Sequence, residues 1–175
     1  MLIQYQEYLT LENIYLWTSF GILPFWLLLV IAPNSKITLF FINSIILPLI
    51  LSAAYIYIIY QAVLLDDPIF DVFGLYLGLD NLYTVFATES FLLIFWLHFL
   101  AMNIFLASWI SRDGVKYNIK RMIILFPLIL VYFAGPIGLV LYWIIRIFYA
   151  KRLSFHDWFT KVTSYEKTKR ENKKR

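Results

Sequence analysis

Cysteine is absent from the 175 residues, so disulfides, thiolate metal ligands and cysteine nucleophiles are excluded together. Histidine is nearly absent. Only His98 and His156 occur, so a histidine-rich di-iron centre has no ligands and a di-histidine metal site would need two distant stretches to meet. No GxSxG elbow, P-loop or GxGxxG appears, which removes the hydrolase, nucleotide and dinucleotide readings. Charge is sparse at 15%, and nine of the fifteen Lys and Arg residues lie from Lys151 onward. The opening MLIQYQEYLTLEN has no lysine or arginine, unlike the basic n-region of a cleaved signal peptide, so the first apolar segment is expected to stay as a span. A basic tail beside an apolar protein suits anionic lipid headgroups better than a phosphate backbone. Membrane lipids are the expected partners and nucleic acid is not.

Hydrophobic residues make up 62% of the chain, far more than in a soluble domain. The apolar runs predict an all-α integral membrane protein: four transmembrane helices in a bundle, with a short interfacial helix between the second and third. One domain over 1–150 is expected, with helices at about 14–32, 37–65, 90–110 and 121–149, followed by a basic tail at 151–175. Pro24 and Pro48 should bend the first two spans. The connection from Asp66 to Glu89 carries five acids and no base, and its interfacial helix should start at Asp80 and Asn81. Acids without histidine in such a loop do not predict a metal site.

Four straight spans would put the basic connection 111–121 on one side of the membrane and the basic tail on the other. The positive-inside count then pulls both ways, with a slight lean to a cytoplasmic tail. The fourth segment is interrupted by FAGPIG, Phe133 to Gly138. Gly135, Gly138, Tyr142 and Arg146 share one face there, open to another helix or a flat ligand, while Arg146 is expected to snorkel to the interface.

The third segment carries a histidine at membrane depth. Hydrocarbon offers an imidazole no water, so His98 is expected to face inward, on a stripe with Phe105, Trp109 and Arg112. Asn103 lies about 140° round the helix, on the stripe with Trp96 and Ala107. In the second segment Asn43, Ile50, Ala54, Tyr57 and Gln61 share a stripe. What this inventory permits is acid–base work without metal or cofactor, with His98, Asn103 and Tyr57 as candidate catalytic groups. Tyr132 and Tyr142 add further hydroxyls. Trp96, Trp109, Asn43, Gln61, Gly135 and Tyr142 are the candidate substrate-binding residues. Polar side chains that only bond helix to helix remain the alternative.

Three stretches, LPFWLLLVIAP (Leu23 to Pro33), WLHFLAMNIFLASWISRDG (Trp96 to Gly114) and GPIGLVLYWIIR (Gly135 to Arg146), resemble the abscisic-acid-deficient-four-like family of small membrane proteins. Plant members are plastid proteins required to form neoxanthin from violaxanthin, an isomerisation that opens an epoxide and creates an allene. The resemblance therefore implies a pocket for a carotenoid or other isoprenoid lipid, and an isomerase without a soluble cofactor. A non-catalytic accessory or lipid-binding protein is the alternative. His98 falls at the family's histidine position, and Arg112, Asp113 and Gly114 in its charged helix-end motif. Asn103 stands where the family usually has an acid five residues after the histidine. The chain lacks an arginine- and serine-rich transit peptide, which makes a bacterial cell membrane the simpler expected location.

Overall fold

The computed structural model describes residues 8–42, 44, 46–64 and 76–150, which leaves Asn43, His156 and Asp66, Asp67 and Asp71 outside it. The helices are α1 (Leu11–Gly21), α2 (Leu23–Ile31), α3 (Lys36–Phe41), α4 (Ile46–Leu64), α5 (Leu79–Phe86), α6 (Glu89–Lys116) and α7 (Arg121–Ala150). With α1 and α2 taken as one, four helices are long and apolar enough to cross a membrane, and they pack as a bundle. The chain is a multi-pass membrane protein. Its outer surface is a belt of large apolar side chains such as Leu27, Phe105 and Phe126, as a lipid-facing surface requires.

Local chemistry sets the helix ends. Thr10 caps α1 by accepting from the Asn13 amide at 3.2 Å, and Ser35 caps α3 by accepting from that of Thr38 at 3.1 Å. Pro24 sits in the first turn of α2, so its missing N–H interrupts the span only between Gly21 and Leu23. Pro48 likewise falls in the first turn of α4. The break in the second span comes before it, between Phe41 and Ile46. The expected interfacial helix is α5, which lays Phe86 against Phe91 and Phe95 of α6 at centroid distances of 5.1 and 4.9 Å.

α6 is the central post. α4 and α7 pack along it, and α1, α2 and α5 also touch it. Its buried face runs through Leu93, Leu97, Leu100, Asn103, Ile104, Ala107, Ser111 and Gly114, a stripe at helical spacing.

α7 is not a rod. Eleven residues of straight helix span about 16 Å, yet a methyl group added to Gly138 would lie 2.7 Å from the Pro127 carbonyl oxygen and against the Val131 backbone. The chain turns back at Ala134, whose φ of −149° and ψ of 75° are not helical. Two arms result, 121–133 and 135–150, pressed together where Gly138 has no side chain. Pro136 falls in the first turn of the second arm, where a missing N–H costs nothing. The arms are roughly 20 and 24 Å long, both short of a hydrocarbon core of about 30 Å. α7 therefore enters from one face and leaves by the same face. Its tip meets α6 near that helix's midpoint, at Asn103.

This doubling corrects the charge conflict expected of four straight spans. The connection between α6 and α7 and the chain leaving Ala150 lie at one end of the bundle, together with the α2–α3 turn. That end carries Lys36, Arg112, Lys116, Lys120, Arg121 and Arg146, and no other Lys or Arg occurs before residue 151. Glu12, Asp80 and Glu89 mark the opposite end.

Candidate functional site

Asp113 stands where α6 leaves the apolar core, turned inward toward the returning arm of α7. Its Oδ2 accepts from the Tyr142 hydroxyl at 2.7 Å and from Arg146 Nε at 2.6 Å. Arg146 Nη2 donates to the Tyr117 hydroxyl at 3.1 Å. The guanidinium carbon lies 4.9 Å from the Tyr117 ring centroid and 5.3 Å from that of Trp143. Trp109, one turn before Asp113, meets Tyr142 edge-on at 5.5 Å. The Arg146 side chain is 1% exposed, so the expectation that it snorkels is overturned. The four-residue spacing of Tyr142 and Arg146 points both at one carboxylate, and a buried guanidinium needs that partner more than it needs water. The clamp ties the second arm of α7 to α6.

At the hairpin tip, a Cβ on Gly135 would collide with the Asn103 amide oxygen, so glycine makes room for the asparagine. Asn103 is buried, and its Nδ2 has no hydrogen-bond partner among the described residues. Orphaned donors at such depth cost about 1–3 kcal/mol. Asn103 and Gly135 are thus brought together, as Trp109 and Tyr142 are.

His98 is not part of this. It is exposed on the outer face of α6, with Phe95, Met102, Phe105 and Arg112 on the same stripe, and the expectation of an inward imidazole is overturned. The physical reason is packing. The opposite stripe has the small residues Ala107, Ser108, Ser111 and Gly114, which let neighbouring helices approach, whereas the His98 stripe is bulky. Tyr57 is also apart: its hydroxyl accepts from Gln61 Nε2 at 3.1 Å within α4, and its ring lines a groove of about 460 Å³ with Trp17 and Phe25. His98, Asn103 and Tyr57 therefore form no common catalytic cluster.

A cleft of about 620 Å³ lies at the acidic end between α1, α5 and α6. Tyr15, Phe86, Phe95 and Trp96 wall it, and Glu12 and Glu89 also line it. Trp96 donates its indole N–H to Ser19 Oγ at 2.9 Å and lies 5.9 Å from the Tyr15 ring and 5.4 Å from that of Phe99, which fixes the wall. Of the sequence candidates among the described residues, Trp96 alone lines this cleft. Tyr15, Glu12 and Glu89 were not anticipated, although acids beside aromatics at two helix starts are a readable signal. Arg146 was missed as the partner of Asp113 and Tyr117 because the fold-back is what joins them.

No solved structure matches the chain significantly. Among curated proteins, 102 residues are 28% identical to Protein ABA DEFICIENT 4, chloroplastic, of Arabidopsis thaliana, covering 57% of this chain and 46% of the relative, so the match spans about half the relative's length. The ABA DEFICIENT 4-like family model matches residues 13–142, a stretch that includes the Asn103–Gly135 contact, the Asp113–Tyr142 bond and the aromatic walls of the cleft but not Leu11 and Glu12 of its lining. Since that match takes in most of the chain, the protein belongs to the ABA DEFICIENT 4-like family.

Proposed function

We propose that this protein binds an isoprenoid lipid of the carotenoid class, with one end group in the cleft between α1, α5 and α6 and the chain running down the outer face of α6, and that it isomerises the lipid there. The observation that carries the reading is the cleft itself: aromatic walls suit a flat unsaturated end group, and the carboxyls sit where an oxygen on that group would lie. Opening an epoxide to an allenic alcohol needs a proton delivered to the epoxide oxygen and one removed from the neighbouring carbon, with no net redox change. Glu12 and Glu89 are the groups suited to share those two roles. His98 lies one turn below Phe95 on the lipid-facing stripe, where the bound chain would pass.

A second reading, a non-catalytic accessory protein, is favoured by the Asp113–Arg146 clamp, whose groups are occupied in holding helices together. The bacterial cell membrane expected from sequence has no support from the plant relative, which is chloroplastic by name. Purification in mild detergent, followed by extraction and mass spectrometry, tests the proposal. A bound isoprenoid that is lost in Trp96→Ala, and epoxide conversion that is lost in Glu12→Gln/Glu89→Gln with the lipid retained, are the expected results. Phospholipid as the sole extract would leave the accessory reading, and conversion undisturbed in the double variant would remove the carboxyls from the chemistry.

A further inference from the structure

A second amphiphilic cavity lies at the opposite, basic end. It has a volume of about 310 Å³ and opens between the end of α2, the end of α6 and the start of α7. Its floor is apolar, with Val30, Val115 and Leu125 accessible over the buried Leu29, Ile124 and Leu128, while Asn34, Lys120 and Arg121 stand along its rim. Arg121 is held across it, its Nη1 donating to the Ile31 carbonyl at 3.4 Å. Lys120 and Arg121 are otherwise exposed at the level where α6 and α7 leave the apolar belt. The fold-back of α7 adds a second, independent observation: the six Lys and Arg residues before residue 151 are gathered at this one end, which gives the whole face a positive field.

We propose that this groove seats an anionic phospholipid, its phosphate between Lys120 and Arg121 and one acyl chain over the accessible Val30, Val115 and Leu125. The charge on the rim selects a negative headgroup. The apolar floor selects a lipid over a soluble anion, since a free phosphate would leave those side chains uncovered. Asn34 supplies an amide donor to the headgroup on the far rim. The seat lies at the other end of the bundle from the aromatic cleft, so it stands whether or not that cleft holds an isoprenoid.

The test is native mass spectrometry of the full chain, delipidated in mild detergent and then titrated with phosphatidylglycerol, phosphatidylcholine or inorganic phosphate. One phosphatidylglycerol should be retained at least tenfold more strongly than phosphatidylcholine, and inorganic phosphate should not displace it. Lys120→Gln/Arg121→Gln should remove that preference. Lys36→Gln/Arg112→Gln, which takes two charges from the same face but not from the groove, should keep it. Leu125→Trp, which fills the accessible floor, should lower retention of both lipids. Equal retention of the two lipids, displacement by inorganic phosphate, or equal losses in the two double variants would overturn the proposal, the last by showing only diffuse surface charge. A melting temperature measured for each variant separates loss of the seat from loss of the fold.

Discussion

Arg146 and Asp113, thirty-three residues apart in the chain, meet at 2.6 Å because α7 reverses at Ala134 and returns to the end of α6. The pair closes the hairpin as a clasp closes a loop. Removing one member leaves the other a largely buried charge that has lost its opposite charge and keeps a tyrosine hydroxyl as partner.

Arg146→Met should therefore destabilise the protein by about 3–5 kcal/mol, the usual cost of breaking a buried pair from one side. Arg146→Met combined with Asp113→Leu should recover a large part of that loss. Equilibrium unfolding in mixed micelles measures both, and a double variant no better than the single one would show that the two groups do not act as a pair.

Gly135 and Asn103 give a second coupled pair. Gly135→Ala pushes a methyl group into the Asn103 amide and should lower stability in the native background. With Asn103→Gly already present the same change should be nearly neutral. A coupling of about 1–3 kcal/mol is expected from neighbours in direct contact, and additive effects in a double-mutant cycle would contradict the packing described at the tip.

His98→Ala should leave stability within about 0.5 kcal/mol of the native chain, because the ring is outside the packed interior. Thermal unfolding followed by tryptophan fluorescence reads this directly. A large loss would mean that the imidazole is held by protein rather than facing lipid.

The absence of cysteine makes labelling simple, since any cysteine introduced is unique. In sealed vesicles Asn34→Cys and Phe148→Cys should react with an impermeant maleimide from the same side, and Asp80→Cys from the other. A straight α7 would move Phe148 to the side of Asp80. By the positive-inside tendency, the side shared by Asn34 and Phe148 should be the cytosolic or equivalent one, which the side of labelling in vesicles of known orientation checks.

The apolar runs made the four helices, the interfacial α5 and the FAGPIG interruption readable, because length and hydropathy decide those features without reference to neighbours. The rotation of α6 was not readable from its polar residues alone. Both of its stripes carry them, His98 and Arg112 on one, Asn103 and Ser111 on the other. Side-chain size, not polarity, separates the two, and the run Ala107, Ser108, Ser111, Gly114 was the available clue. The return of α7 had its own trace in the sequence. Straight spans split the basic residues between two faces, and a turn at Gly135–Pro136 is what reunites them. Contacts such as Tyr117 with Arg146 could be seen only once that turn was known.

The hairpin also fixes the parity of the chain's path. Three passages through the bilayer and one excursion that comes home leave Tyr8 and Ala150 at opposite faces. A reporter fused ahead of α1 and one fused behind α7 would sample unlike surroundings, and a protease confined to one lumen would reach only one of them.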